Sequence, residues 1–96
     1  MQIEWNERKR GTNLIKHGVD FADAHELFEQ PFFRKEDTRQ NYGERRFLAV
    51  GQIQGRVMVA AYTMRGDAIR IISLRKGNQR EQKSFSQAIE NGLGAD

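Results

Sequence analysis

Three apolar runs, Phe47–Ile53, Val57–Met64 and Ile69–Leu74, follow one another with only the turn sequences Gln54-Gly55 and Arg65-Gly66-Asp67 between them. Runs of this length, rich in β-branched and aromatic residues and bounded by glycine turns, predict a three-stranded antiparallel meander. In the third run, period-two geometry places Ile69, Ile71, Ser73 and Arg75 on one face and Arg70, Ile72, Leu74 and Lys76 on the other. Apolar residues on both faces predict a central, largely buried strand.

The chain before the meander reads as helical. Ile3-Glu4-Trp5 is a short extended start, and Asn6 to His17 predicts a helix closed by Gly18. Asp20 and Asp23 resemble a weak capping box for a second helix from Phe21 to Glu29, where Phe21, Ala24, Leu27 and Phe28 form one buried stripe. Pro31 ends it, and residues 32–44 show no period and read as an ordered connection. After the meander, Asn78 with Glu81 three residues on predicts the start of a last helix over about 79–91, with Phe85, Ala88 and Ile89 as its apolar stripe. The order is β-α-α-β-β-β-α: an α+β domain spanning 1–96, with two N-terminal helices on one face of the meander and a C-terminal helix.

Charge narrows the function. Residues 1–44 carry 7 basic and 9 acidic side chains, whereas residues 45–83 carry 9 basic and 2 acidic, a local excess of +7. Such asymmetry suggests a face for polyanions, of which nucleic acid is the commonest, or else a solvated basic surface. The third strand runs through Arg75-Lys76 into a helix whose first turns add Arg80 and Lys83, and a helix start offers free N–H groups to phosphate. The alternative at that corner is ion pairing of Arg75 and Arg80 with Glu81.

Glu44-Arg45-Arg46 precedes the meander. Cleavage of RNA by its own 2′-hydroxyl needs a base, cations for the phosphorane and an acid for the leaving 5′ oxygen, but no metal. Glu44 suits the base, with Arg45, Arg46, Arg70, Arg75 and Lys76 available for charge stabilisation; Glu44 as an ion-pair partner of Arg46 is the competing reading. His17 fits a helix C-terminus and His25 a surface. Two histidines eight apart make no metal motif, so neither metal nor cofactor is expected. Trp5 suits the core; Phe32 and Phe33 suit either packing or base stacking; Tyr42 and Tyr62 stay unassigned. With no cysteine, disulfides and thiolate chemistry are excluded. No apolar run nears the roughly 18 residues of a membrane span and the start has no signal-peptide order, so a cytoplasmic protein is expected.

Several blocks together, Ile3-Glu4-Trp5-Asn6-Glu7-Arg8-Lys9, Lys16-His17-Gly18-Val19, Phe21 to Phe28, Glu44-Arg45-Arg46-Phe47 and Arg70-Ile71-Ile72-Ser73-Leu74-Arg75-Lys76, resemble the BrnT toxins. The resemblance implies a RelE-like fold and a ribonuclease toxin of a type II toxin–antitoxin system. It further implies arrest of translation, neutralisation by a BrnA-type antitoxin in a hetero-oligomer, and operator DNA bound only through that antitoxin. On matching positions it implies Glu44, Arg45, Arg46, Arg70, Arg75 and Lys76 as catalytic residues, with Glu81 from the following helix on the RNA-binding side, where the basic corner read from the charges adds Arg80 and Lys83. Two positions depart from the family pattern: Asn6 stands where aspartate is common, a helix-cap exchange, and Phe85 where tyrosine is common, which removes a hydroxyl. The alternative to an enzyme is a non-catalytic nucleic-acid or antitoxin-binding module.

Overall fold

A computed structural model describes residues 1–93; the last three positions of the domain expected over 1–96 lie outside the described residues. The elements are β1 (Gln2–Trp5), α1 (Glu7–His17), a 3-10 turn (Phe21–Asp23), α2 (Ala24–Glu29), β2 (Phe33–Glu36), β3 (Phe47–Ile53), β4 (Arg56–Arg65), β5 (Ala68–Lys76) and α3 (Gln79–Glu90). They form an α+β fold around one five-stranded mixed sheet in the order β1-β5-β4-β3-β2. The predicted meander is β3-β4-β5. Its first turn is a tight one, with Gln54 and Gly55 both left-handed, at φ 51° and 75°.

The sheet is larger than the sequence suggests. Residues 33–36, read as connection, pair antiparallel with β3 from Phe33↔Val50 to Glu36↔Phe47. Only Phe33 in that strand is apolar; Arg34, Lys35 and Glu36 are exposed, as suits an edge strand, so no alternation betrays it. At the opposite edge β1 joins β5 in parallel, from Gln2↔Ala68 to Trp5↔Ile71.

Helices cover both faces. α2 and the turn before it place the predicted stripe Phe21, Ala24, Leu27 and Phe28 in the main core with Phe47, Ala49, Ile53, Met58, Ala60, Tyr62, Ile71 and Leu74. Gly51 permits this approach: a Cβ there would lie 3.0 Å from Leu27 Cγ and 3.1 Å from Phe32 Cβ. On the other face α3 sets Phe85 against Leu48, Val50 and Val59. Phe32 and Phe33 are both used in packing, edge-on to Phe28 at 5.2 Å and stacked on Phe85 at 6.5 Å respectively.

α1 is docked by polar contacts. Asn6 caps it by accepting from Lys9 N at 3.1 Å, and Gly18 closes it in a left-handed conformation. Its only buried residue is Asn13; Leu14 and Ile15 face solvent, Ile15 at 89% exposure. Asn13 Nδ2 donates to Leu74 O at 2.8 Å and Val19 O at 3.1 Å, while its Oδ1 accepts from Leu74 N at 3.1 Å. The β1 pairing stops at Ile71, and Asn13 replaces it as partner for the outer edge of β5. Arg10 forks onto Asp20 at 2.7 and 3.0 Å and lies over the Trp5 ring. That fork, with the Ala22 N–H, lowers the Asp20 carboxyl to about 2.

The strict alternation expected along β5 does not hold. The β4–β5 register shifts between Ala61 and Tyr62: Tyr62 opposes Ile71, but Ala61 opposes Ser73, so Ile72 is an extra residue in a β-bulge. Ile71 and Leu74, three apart, both enter the main core. Arg70, Ser73 and Arg75 are left together on the α3 face, and Lys76 moves to the α1/α2 face, opposite Met58.

Asn13→Ala would leave the Leu74 N–H and C=O without partners in a buried setting. It is expected to destabilise the fold by about 2–4 kcal/mol in urea unfolding, whereas Ile15→Ala should stay within about 0.5 kcal/mol. Equal midpoints for the two variants would refute this account of α1.

Candidate functional site

The register draws rows across the α3 face. Phe33, Val50, Val59 and Arg75 form one; Lys35, Leu48, Ala61 and Ser73 form the next; Thr63 and Arg70 begin a third, flanked by Glu4. α3 covers the first row through Phe85 and leaves half-buried Ser73, Arg70 and Ala61 on open sheet.

Arg75 emerges beside α3, whose start is built on Asn78 and Glu81. The capping box forms as expected: Asn78 Oδ1 accepts from Glu81 N, and Glu81 Oε1 accepts from Asn78 N, each at 2.8 Å. The same carboxylate takes Arg75 Nη1 at 2.7 Å and Nη2 at 2.8 Å. These bonds, first the one from Arg75, hold the Glu81 carboxyl below its usual range against the cost of partial burial. The helix start is thus already filled by an anion of the chain, and the phosphate expected there would meet Glu81 instead. Glu81 grips the end of the guanidinium, so the side edge of Arg75, Nε–H and the second Nη2–H, has no partner among the described residues.

The other expected residues divide between faces. Arg46 bonds to Glu44 at 3.1 Å and lies 4.2 Å over the Tyr42 ring, so Glu44 is an ion-pair partner in this structure. Arg70 pairs loosely with Glu4 at 3.8 Å. Arg45 turns the opposite way, bonding Glu36 at 2.8 Å over Phe47, and with Arg34, Glu44, Thr63 and Met64 lines a hollow of about 530 Å³. Arg80 and Lys83 are exposed on the first turns of α3 with no ion-pair partner among the described residues. The register thus brings Arg70 and Arg75, the latter bonded to Glu81, to one face and puts Lys76 on the other, while Arg46 stays with Glu44, which shares the hollow with Arg45. Phe85 is buried against Phe33, and Tyr62 is buried against Phe28 and Phe47.

A cluster in residues 37–46 escapes sequence reasoning. Asp37, with a side chain 3% exposed, accepts from Arg39 N, Nε and Nη2 at 3.2, 2.8 and 2.8 Å and from the Tyr42 hydroxyl at 2.9 Å. Its own N–H donates to Arg46 O at 2.7 Å. Asp37 bonding the N–H two residues on is an Asx turn, and an aspartate opening a polar segment is the signal that could have found it. Among the described residues, no three His, Asp or Glu side chains gather as a metal would require, and no helix is long and apolar enough to cross a membrane.

Fold and face together define a small α+β protein with guanidiniums arrayed on an open sheet surface, a class suited to phosphate-bearing polymers. A family model for the ribonuclease toxin BrnT of type II toxin–antitoxin systems matches residues 5–81, and the chain belongs to this family. It is therefore one of the ribonuclease toxins, whose setting supplies an RNA substrate and an antitoxin partner. The match takes in Glu44, Arg46, Arg70, Arg75 and Glu81; Lys83 and Phe85 lie beyond it. Comparison with individual curated proteins returned no match.

Asp37 also sets a pH dependence. Its carboxyl is held far below the usual aspartate range, chiefly by the Arg39 side chain, then by the Arg39 N–H and Tyr42, against its burial. A depressed folded value means the stabilisation is complete above about pH 4 and is lost as pH falls below it. Asp37→Asn should be about 1–2 kcal/mol less stable than wild type at pH 7, with the gap narrowing steadily as pH falls below about 4 in urea titrations. A gap of constant size would exclude the ion pair as its source.

Proposed function

We propose that this chain is a metal-independent endoribonuclease whose RNA lies across the α3 face, and that its cut arrests translation. The β5 bulge carries the reading, because it sets Arg70 and Arg75 on one face. In the proposed reaction Arg75 receives a non-bridging phosphate oxygen on its free side edge, with Arg46 and Arg70 adding charge stabilisation as the pentavalent phosphorane forms. Glu44 leaves its ion pair to accept the 2′-hydroxyl proton. The O2′–P bond forms, the P–O5′ bond breaks, and O5′ takes a proton from water, giving a 2′,3′-cyclic phosphate and a 5′-hydroxyl. Arg80, Lys83 and Lys76 act at longer range by attracting the polyanion, and Arg45 supports the base of the 37–46 segment through Glu36.

The family supports a cytoplasmic setting, in which a BrnA-type antitoxin forms a hetero-oligomer with this chain and supplies the contact with operator DNA. A RelE-like arrangement is the fold reading that accompanies it. The test is the purified chain with single-stranded RNA in EDTA, beside a coupled translation reaction. Wild type should leave cyclic phosphate ends and slow translation, and Arg75→Ala should lower kcat/KM by about 10²–10³. Intact RNA under steeply salt-dependent binding would overturn the enzyme reading in favour of a phosphate-binding module.

A further inference from the structure

We propose that the sheet face opposite the RNA carries the docking site for the antitoxin, and that the site takes a protein segment bearing a carboxylate beside apolar side chains, with Arg34 and the Tyr62 hydroxyl receiving the carboxylate. The place of the site rests on geometry alone; the antitoxin as its occupant rests on the toxin–antitoxin reading.

Two hollows adjoin on the α1/α2 face of the sheet. One, of about 430 Å³, is lined by Phe28, Phe32, Arg34, Tyr62, Met64 and Ile69, and it shares Arg34 and Met64 with the hollow of about 530 Å³ beside Arg45 and Phe47. Register accounts for the neighbours: Arg34 opposes Ala49, Phe47 opposes Tyr62 and Met64 opposes Ile69, with Ala49, Phe47 and Tyr62 in the main core and Ile69 packed against it. The hollows form one trough, larger than a single side chain fills. Met64, 41% exposed, belongs to both halves, and its flexible thioether suits a surface on which the side chains of a partner pack.

The polar groups of the trough are short of an acceptor. Tyr62 is 2% exposed, and a tyrosine buried to this degree ordinarily has a partner for its hydroxyl. Its one contact among the described residues is Arg34 Nη1 at 3.5 Å, the long limit of a hydrogen bond. The hydroxyl accepts there, so its own proton has no acceptor. Arg34 has no carboxylate partner among the described residues, whereas Arg45 beside it bonds Glu36; Arg34 lies instead 4.8 Å over the Phe47 ring. A phenol proton and several guanidinium N–H groups thus face one space, which suits an anionic oxygen pair.

The surroundings choose a protein carboxylate over a phosphate. One free guanidinium among Phe28, Phe32, Met64 and Ile69 suits a single carboxylate carried by an apolar segment. A strand of RNA brings a phosphate at every nucleotide and calls for several cations, which the other face has in Arg70 and Arg75. Asp67, in the turn between β4 and β5, closes the side of the trough away from the edge strand of Arg34, so a second phosphate would meet an acid there and a basic side chain would be received. Glu44 lines the half of the trough beside Arg45, so a segment lying along it would cover the carboxylate that serves as base in the proposed reaction. Docking and neutralisation would then be one event.

The test uses the full chain, its purified antitoxin and a single-stranded RNA. Arg34→Ala should weaken antitoxin binding by about 10–10²-fold and Tyr62→Phe by about 10-fold, with RNA cleavage unchanged in both. Arg34→Lys should recover only part of the loss, because a point charge replaces the fork. If the buried Tyr62 variant fails to fold, the exposed Arg34 variants decide beside a second measurement. Met64→Cys supplies the one thiol of a chain without cysteine, and the antitoxin should protect that thiol from a maleimide while RNA leaves it reactive. Wild-type antitoxin affinity in Arg34→Ala, with the thiol still reactive in the complex, would overturn the site. Protection of the thiol by RNA instead of the antitoxin would overturn the occupant. If the wild type cuts no RNA while the variants weaken antitoxin binding as expected, the site stands and the ribonuclease reading alone falls.

Discussion

The structure depends on the amide of Asn13. It sits on a helix that buries no apolar side chain of its own, and it bonds both the N–H and the C=O of Leu74 where β1 has ceased to pair. An amide is one of the few side chains that can act as a neighbouring strand, since it offers a donor and an acceptor side by side. At about 1 kcal/mol net for each bond, and more for a buried backbone group left unpaired, this contact outweighs any single pair in the charged network around Arg10. It also fixes β5 just after the bulge. Together with the burial of Ile71 and Leu74 in the main core, it holds the register that puts Arg70 and Arg75 on one face.

The bulge changes the meaning of the charge asymmetry. As sequence, residues 45–83 are a block of +7 beside an acidic half; as structure, acids of the first half are laid against those cations. Glu4 approaches Arg70, Glu36 bonds Arg45, and Glu44 bonds Arg46, while Asp37 does the same for Arg39 within its own half. The pairs are mostly half-exposed, where ion pairing adds little stability. Their effect is geometric: Arg39, Arg45 and Arg46 are each hydrogen-bonded to a carboxylate and keep further N–H groups for another acceptor, while Arg70 is only loosely paired.

Much of the fold is legible in the sequence because it rests on local signals. The meander, the Asn78–Glu81 capping box, the Gly18 terminus and the stripe Phe21, Ala24, Leu27 and Phe28 are all read from spacing, and all form. β2 is hidden because three of its four residues are charged and its pairing depends on β3, ten residues on. The bulge is hidden for a different reason: Ile71 and Leu74 violate a period of two, and nothing local says which residue of the strand is the extra one. That one residue redirects the candidate site, moving Lys76 away from Arg70 and bringing Arg75 to it. Asp37 and Arg39 escape notice because a lone acid and base two apart in a polar segment look like any surface pair; burial of the acid is a property of the folded chain.

Glu81 links the fold to the proposed chemistry. One carboxylate closes the start of α3 and grips Arg75, so the orientation of the arginine is set by the same bonds that hold the helix in place. α3 itself has a small apolar footing, chiefly Phe85 on Leu48, Val50 and Val59 with Phe33 stacked beside it. A site built only from mobile surface arginines would have to order each of them as RNA arrived, at up to about 2 kcal/mol of side-chain entropy apiece. In the proposed reaction that ordering is done during folding for Arg75, by Glu81, which would leave the energy of phosphate binding for the step in which the phosphorane gains charge. Phe85 fits the same logic: with no hydroxyl to place in a buried stack, it serves the packing of α3, and the proposed charge stabilisation is assigned to arginines alone.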